Sequence, residues 1–288
     1  MLERHGLLLK HRLGQNFLVS DAVIGRILAL AELGSDDVVY EVGPGIGTLT
    51  VGLLATGANV VAIERDSDLP PVLAQTTGEV LWDDAPRFAL VNMDALEVDE
   101  GVLCDAAARL EHPGLPRKLV ANLPYAVAAT IVLDYFQRFD FIDTMCVMVQ
   151  AEVANRMCAA PGTKDYGAYS VKMALLAQPA GSFAVSPQSF LPPPRVESTV
   201  IRLDRRREGM EPGLAEAACL MADAAFHQRR KTIRNSMGAY LEQQGYPKAL
   251  VDELLAETGI DPRSRGEAHA PDEFIALGEA FLKARVQE

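Results

Sequence analysis

The sequence predicts an α/β protein with an open parallel sheet, followed by a small all-helical C-terminal part. Short β-branched runs at 38–42, 60–63 and 118–121 each precede a helix-like stretch, and a further continuous apolar run spans 145–149. Buried strands that alternate with helical patterns are typical of βαβ units, whose parallel sheet is covered on both faces. Residues 197–203 then alternate with period two, as expected for a last strand with one polar face.

The character of the chain changes after this last strand. Residues 205–213 are charged and rich in turn formers, which indicates a domain boundary. We therefore expect a first domain over 1–208, with a basic N-terminal arm, and a helical domain over 209–288. Three prolines mark positions where helices of the second domain could begin: Pro212, Pro247 and Pro271.

Composition narrows the class of protein. The chain has 288 residues, of which 49% are hydrophobic, so it can bury a sizeable core. Its 27 Lys and Arg against 39 Asp and Glu give a net charge of −12, which argues against a uniformly basic coat or docking on an anionic membrane. A local basic patch is still allowed, because charges are screened beyond about 8 Å.

The cysteines and the apolar runs suggest a cellular compartment. The 4 cysteines are far apart and have no spacing suited to zinc, so we expect neither a disulfide framework nor a metal. No apolar run has the length of a signal peptide core or a membrane span. The sequence therefore predicts a soluble protein of the cytoplasm.

A glycine-rich loop at 41–48 follows the first strong strand. Its glycines allow a tight turn and close approach to a ligand, and Glu64, which lies 21 residues after Gly43, ends the second strand where a ribose-binding acid is expected. A dinucleotide loop would need glycine where this chain has Thr48, which disfavours a dehydrogenase. The pattern favours a nucleoside without phosphates, of which S-adenosylmethionine is the common one. The alternative is an ordinary strand-to-helix turn.

Two further acids support a ligand site at this edge of the sheet. Asp94 lies just past a third short strand, and its carboxylate could accept the exocyclic amine of adenine. An aspartate at a strand end is more often a helix cap, so Asp94 alone is weak evidence. Glu41, Glu64 and Asp94 together lie at carboxyl ends of strands, where open α/β sheets bind ligands.

Residues 122–125, Asn-Leu-Pro-Tyr, follow another strand and suggest a reaction. The amine of adenine is a poor nucleophile because its lone pair is delocalised into the ring. The Asn122 amide oxygen and the Leu123 carbonyl, held by Pro124, could accept its two N–H groups and free the lone pair to attack a sulfonium methyl. Tyr125 offers a face for base stacking. The alternative for an isolated match is a plain turn.

Several other segments complete a pattern along the chain. In order, the pattern comprises 13–18, 41–47, Glu64, Asp94, 122–125, 150–156, 166–171, 190–196 and 226–235. From end to end the chain resembles the ribosomal RNA adenine N6-dimethyltransferase family, in its bacterial small-subunit (16S) branch. The resemblance implies a Rossmann-like class I S-adenosylmethionine-dependent methyltransferase sheet with a small all-helical C-terminal domain.

The resemblance also implies a substrate and a set of contacts. The substrate is a pair of adjacent adenosines in the 3′-terminal hairpin loop of 16S rRNA, dimethylated at N6 in a pre-30S particle during late biogenesis by a monomer. Phe190 would stack on the flipped adenine opposite Tyr125. With the loop argument, the expected cofactor contacts are Asn16, Leu18, Glu41, Gly43, Gly45, Glu64, Asp94 and Asn122. Two departures are Ala126, where the family commonly has asparagine, and a longer stretch at 67–88.

Basic residues are clustered despite the acidic balance. Four lie within six residues of one another without an intervening acid: Arg229, Arg230, Lys231 and Arg234. With Arg12 near the start they predict the RNA contact. A continuous helix over 226–237 would place Arg230 and Arg234 beside an apolar stripe. The alternative is a solvated helix whose arginines pair with carboxylates.

Two other functions remain open at this point. One is a ribosome-assembly factor in which methylation is secondary or lost, although an intact 122–125 argues against loss. The other is an antibiotic-resistance methylase of large-subunit rRNA. Those relatives typically have isoleucine at the position of Leu123 and lack the pattern at 228–235, so this alternative ranks low.

Overall fold

The computed structural model describes residues 16–80, 87–206 and 213–286. Arg12, Pro212 and the expected domain boundary after residue 208 lie outside these ranges. None of the described helices is both long and apolar enough to cross a bilayer.

Strands and helices alternate through most of the chain. The strands are β1 (Phe17–Leu18), β2 (Val38–Val42), β3 (Asn59–Glu64), β4 (Phe88–Asn92), β5 (Lys118–Asn122), β6 (Thr144–Gln150), β7 (Ala177–Val185), β8 (Phe190–Leu191) and β9 (Ser198–Arg205). The helices are α1 (Asp21–Ala31), α2 (Thr48–Ala55), α3 (Pro70–Val80), α4 (Glu100–Ala107), α5 (Ala128–Arg138), α6 (Ala151–Met157), α7 (Ala168–Leu176), α8 (Leu214–Phe226), α9 (Ile233–Gln243), α10 (Lys248–Thr258) and α11 (Pro271–Val286).

A seven-stranded mixed sheet forms the centre of the first part of the chain. Its strand order is β4-β3-β2-β5-β6-β9-β7. The pairs from β4 to β6 are parallel, whereas β9 runs antiparallel to β6 from Thr144↔Asp204 to Gln150↔Ser198. Every residue of β2 and β3 is buried, as expected for strands covered on both faces. The predicted parallel sheet and its last strand are confirmed.

The strand order determines where a ligand can bind. Strand β2 has β3 on one side and β5 on the other, so the chain reverses its direction across the sheet between them. Open α/β sheets bind ligands outside the carboxyl ends of strands at such a switch point. Two short strands, β1 and β8, pair antiparallel in a separate sheet, with Leu18 opposite Phe190.

The described residues divide into two compact units. The first comprises the chain up to Ala154 together with Pro179–Arg205, and the second comprises Asn155–Gln178 together with the chain from Arg206. The second unit thus includes residues that the sequence analysis places with the sheet. Its helices α7 to α11 enclose a core of their own, in which Phe274 is fully buried.

Two helices of the second unit begin where prolines predict them. Pro247 is the N-cap of α10, and Pro271 is the first residue of α11. The chain is not continuously helical over 226–237, so the condition for an apolar stripe flanked by Arg230 and Arg234 is not met. Helix α8 ends at Phe226, and α9 begins at Ile233 after Thr232, whose hydroxyl accepts the Asn235 N–H at 3.4 Å.

Candidate active site

A cavity of about 750 Å³ opens at the carboxyl ends of β2, β3, β4 and β5, and its lining residues all belong to the first unit. Most of the residues predicted from the sequence line it. They are Asn16, Leu18, Glu41, Gly43, Gly45, Glu64, Asp94, Asn122, Leu123, Pro124 and Tyr125. The volume is in the range of small-molecule sites. The structure therefore brings together side chains that lie more than 100 residues apart in the sequence.

The glycine loop needs residues without a side chain. Gly43, Gly45 and Gly47 have φ of 69°, 59° and 88°, in the left-handed region that favours glycine. A Cβ at Gly45 would lie 2.9 Å from Cε1 of Phe17 on β1, closer than carbon atoms can pack. The Thr48 hydroxyl donates to the Leu18 carbonyl at 2.7 Å. The loop is thereby fixed against β1 with its backbone facing the cavity.

Glu64 is held by the backbone at the end of β3. One carboxylate oxygen accepts the Gly45 N–H at 3.3 Å, and the other accepts the Asp66 N–H at 2.7 Å. The residue is only 7% exposed, and burial raises its pKa although these N–H groups oppose the shift. Glu64 thus links the glycine loop to the next turn and presents a carboxyl group to the cavity.

Asp94 follows β4 and takes part in two interactions. Its Oδ1 accepts the Leu96 N–H at 3.0 Å, which closes a turn, and its Oδ2 lies 3.0 Å from a guanidinium nitrogen of Arg65. The Arg65 side chain is 68% exposed, so this ion pair lies at the rim of the cavity. Asp94 closes a turn and does not cap a helix, which was the alternative, and its role as an acceptor for the adenine amine stays a prediction.

Glu41 lies deeper than the other two acids. It is the penultimate residue of β2, is 1% exposed, and accepts the Thr50 hydroxyl hydrogen bond on Oε2 at 2.6 Å. Burial, which outweighs the Thr50 bond, raises the pKa of Glu41 to about 8. A carboxyl group of this kind is largely protonated at neutral pH.

Asn122 and Tyr125 are held on either side of the Leu-Pro turn. The Asn122 amide nitrogen donates to the Asn16 carbonyl at 3.3 Å, and no described residue donates to its amide oxygen. The Tyr125 hydroxyl lies 2.6 Å from Ser198 Oγ on β9. Val127 N–H donates to the Pro124 carbonyl at 3.1 Å and closes the turn before α5. The amide oxygen is therefore free to accept a hydrogen bond from a ligand.

Phe190 lies on β8, which pairs antiparallel with the cavity-lining strand β1. It is 2% exposed and belongs to the apolar cluster that contains Leu18 and Val200. Unlike Leu18, it is not among the residues that line the cavity. The stacking role that the resemblance implies for Phe190 stays a prediction.

The sequence analysis missed other lining residues. Arg65 and Asp66 directly follow Glu64, and Gln150 ends β6. The signal for all three was available, because each lies at or just past the carboxyl end of a strand. Among the described residues, no group of three His, Cys, Asp or Glu could hold a metal ion.

The four predicted RNA-binding residues at 229–234 lie in the second unit and differ in their surroundings. Arg229 contacts Glu267 at 3.3 Å and donates to the Lys164 carbonyl at 2.7 Å, and Arg234 donates to Asp252 at 2.8 Å. Arg230 and Lys231 are exposed, and no carboxylate of the described chain pairs with them. Two of the four cations thus pair with acids and two do not, and the RNA contact expected for the cluster stays a prediction.

The fold and the site together define a class of protein. A Rossmann-like sheet whose switch point holds a glycine loop, strand-end acids and an Asn-Leu-Pro-Tyr turn is that of a methyltransferase acting on an amine. The profile of the ribosomal RNA adenine dimethylase family matches residues 6–276. The chain belongs to this family.

Curated relatives agree over nearly the whole length. The chain is 40% identical over 267 residues to ribosomal RNA small subunit methyltransferase A of Streptomyces griseus, covering 92% of this chain and 87% of the relative. It is 38% identical over 285 residues to the protein of the same name from Phenylobacterium zucineum, covering 99% and 92%.

Solved structures share the fold. A dimethyladenosine transferase from Plasmodium falciparum superposes with a TM-score of 0.75 at 20% identity, covering 93% of this chain and 98% of that one. The 23S rRNA methyltransferase ErmE superposes with a TM-score of 0.63 at 26% identity, covering 92% and 99%.

Proposed function

We propose that this chain transfers methyl groups from S-adenosylmethionine to N6 of two adjacent adenosines in the 3′-terminal hairpin loop of small-subunit (16S) rRNA. It acts as a monomer on a late pre-30S particle in the cytoplasm. The observation that carries the proposal is the shared cavity, in which Glu64 and Asp94 lie with Asn122, Leu123, Pro124 and Tyr125. The relatives named small subunit methyltransferase A support the choice of rRNA.

The residues present fit the cofactor. The glycine loop leaves backbone where a Cβ at Gly45 would collide with Phe17, and Glu64 and Asp94 offer carboxylate oxygens to ribose hydroxyls and to the adenine amine. Neither role requires phosphate-binding groups. This agrees with Thr48, which stands where the loop of a dinucleotide-binding protein would have its last glycine. When bound, S-adenosylmethionine supplies an electrophilic methyl group on a sulfonium.

Asn122 and Leu123 activate the target amine. The bond from the Asn122 amide nitrogen to the Asn16 carbonyl fixes the amide plane, so the amide oxygen is available to the substrate. When that oxygen and the Leu123 carbonyl accept the N–H groups of adenine, the nitrogen lone pair leaves conjugation with the ring. This requires positioning and oriented dipoles, but no covalent nucleophile.

Tyr125 holds the flipped base. Its hydroxyl is tethered to Ser198, which fixes the face that the ring presents to the cavity. Unpaired loop bases can be extruded at little unpairing cost, so a hairpin loop suits this pocket. After the first transfer, the neutral Asn122 oxygen can still accept the remaining N–H, and a second methyl can follow.

The basic residues of the C-terminal helical domain, 209–288, contact the rRNA in this proposal. Within the cluster at 229–234, Arg230 and Lys231 are the exposed cations without carboxylate partners among the described residues, so they are the first candidates for phosphate contacts. Arg229 and Arg234 also bind phosphates, which replace their present carboxylate partners. Arg12 adds a contact from the N-terminal arm.

The test is incubation of the purified chain with labelled methyl donor and undermethylated small subunits, followed by mapping of the modified nucleotides. We expect label in two adjacent dimethyladenosines of the 3′-terminal hairpin loop, and none with fully methylated subunits. Label in large-subunit rRNA would favour the resistance methylase instead. Particle binding without any incorporation would favour an assembly factor.

A further inference from the structure

Glu41 is a buried carboxyl group at the cavity whose charge no described residue balances. It lines the cavity and is 1% exposed, and its one side-chain partner in the described part of the chain is the neutral Thr50 hydroxyl. No described cation lies within ion-pair distance of it. An ionised carboxylate at such a position loses its hydration and receives one hydrogen bond in return, which disfavours the charged form.

The elements packed against β2 do not supply the missing positive charge. Helix α2 and the loop 43–47 contain no titratable side chain. Strand β3 contributes Glu64, whose negative charge repels that of an ionised Glu41 and raises the Glu41 pKa. From β5, Lys118 lies at the far end of the strand and pairs with Asp37 at 2.9 Å. At the cavity rim, Arg65 pairs with Asp94, and Asp66 adds a further acid.

The two forms of the expected cofactor differ at one charge. The methyl donor has a sulfonium, whereas the spent product has a neutral thioether, and both have the same adenosine and the same amino-acid group. In a pocket of low polarity, a cation stabilises a nearby carboxylate and lowers its pKa. A buried acid that is protonated in the free protein can therefore distinguish the two ligands by charge alone.

We propose that Glu41 selects the methyl donor over the spent product, because it releases its proton when the cationic donor fills the cavity and keeps that proton when the neutral-sulfur product does. This inference rests on the proposed cofactor. The step breaks the carboxyl O–H bond, leaves a carboxylate that still accepts the Thr50 hydroxyl, and passes the proton to solvent.

The sign of the pH dependence follows from linkage. The donor binds the ionised form of Glu41, so its affinity rises with pH by up to about tenfold per pH unit below the pKa of about 8, and levels off above it. The product does not require Glu41 to be ionised, so the affinity for the product stays nearly constant over the same pH range. Product inhibition is therefore weakest on the alkaline side.

Calorimetry of the full chain tests this with a readout other than activity. The donor and the demethylated product are each titrated at neutral pH in two buffers that differ in ionisation heat, which gives the number of protons released. We expect close to one more proton released with the donor than with the product. In Glu41→Gln, whose amide oxygen can still accept the Thr50 bond, this difference should disappear and the donor affinity should lose its pH dependence.

Glu64→Gln is the matched control, because it changes an acid that faces the adenosine common to both ligands. It should weaken both ligands equally and still give more proton release with the donor than with the product, by a smaller margin because the Glu64 charge no longer raises the pKa of Glu41. Equal release with donor and product in the unmodified chain, which needs no variant, would overturn the inference, as would a difference that survives in Glu41→Gln. Failure of both ligands to bind the unmodified chain would instead refute the proposed cofactor, and this inference with it.

Discussion

Asn122 is the residue at which the proposed chemistry can be tested most directly. Asn122→Ala removes the amide oxygen that accepts the adenine N–H, while the strand pairing of β5 with β6 stays intact. Loss of one oriented dipole of this kind costs about 10²–10³ in rate. We expect methyl transfer to undermethylated subunits to fall by that factor, with particle binding kept. Asn155→Ala, at an exposed position of α6, should change neither. Equal activity of the two variants would exclude Asn122 from the reaction.

Two buried tyrosines give opposite predictions for stability. Tyr40 is fully buried, and its hydroxyl has no partner among the described residues, whereas the Tyr135 hydroxyl donates to the Ala95 carbonyl at 2.9 Å. Tyr40→Phe removes an unsatisfied polar group and should raise the free energy of unfolding by about 1 kcal/mol. Tyr135→Phe leaves a carbonyl unpaired and should lower it by about 1 kcal/mol. Urea denaturation measures both, and a loss of stability in Tyr40→Phe would contradict the first.

Most of the site was predictable at the level of residues, because strand ends converge. Glu41, Glu64, Asp94 and Asn122 each lie at or near the carboxyl end of a strand, and parallel strands bring such positions to one edge. The hydrogen bond between Thr50 and Glu41 was not predictable, because it depends on how α2 packs on the sheet. The burial of Phe190 was missed for a similar reason.

At the scale of elements, local patterns predicted the central strands better than the edges. Strands β2, β3, β5 and β6 each contain an apolar run of at least three residues, as burial on both faces requires. Strand β7 contains Pro179 and Gly181, residues that disfavour strands, and it lies at the sheet edge where they are tolerated. Its sequence has no alternating pattern that would have predicted it.

The break between α8 and α9 illustrates a non-local cause. No glycine or proline lies between Phe226 and Ile233, so the sequence favours one helix. In the structure, the Gln228 N–H donates to Ser236 Oγ at 2.9 Å, and the Ile233 N–H donates to the Ser264 carbonyl at 2.7 Å. These bonds replace helical ones, and they exist only once the second unit has folded.

The turn that results from this break presents the basic cluster, and its cations should contribute unequally to RNA binding. Arg230 and Lys231 are exposed without carboxylate partners in the described chain, so a double change to Gln should weaken rRNA binding in a salt-dependent way. The slope of log K against log salt should fall by about 1 for each cation that no longer neutralises a phosphate. Arg263→Gln is the control, since Arg263 is an exposed arginine paired with Asp261. An unchanged slope in the double variant would remove these residues from the interface.

At the scale of the whole molecule, the acidic balance and an RNA substrate are compatible because most described cations are matched by acids. Ion pairs such as Lys172 with Asp223 and Lys283 with Glu257 lie on the second unit itself. Charges beyond about 8 Å are screened, so the net charge of −12 does not decide the local potential at Arg230 and Lys231. Composition could therefore exclude a uniformly basic protein, but it could not locate the basic patch.

Ligand binding should raise the free energy of unfolding of the chain. Substitutions at two glycines distinguish this ligand-induced gain from the stability of the unliganded protein. The demethylated product at 100 times its Kd should add about 2.7 kcal/mol to the free energy of unfolding. Gly45→Ala forces a Cβ to within 2.9 Å of Phe17 at a φ of 59°, so this variant should be less stable and should lose most of the ligand shift. Gly25 lies in α1, and no atom is within 4 Å of a Cβ added there. Gly25→Ala should therefore raise the free energy of unfolding by about 0.5–1 kcal/mol and keep the full ligand-induced gain. Thermal unfolding with and without the product measures both quantities, and a full ligand shift in Gly45→Ala would show that the loop does not shape the cofactor site.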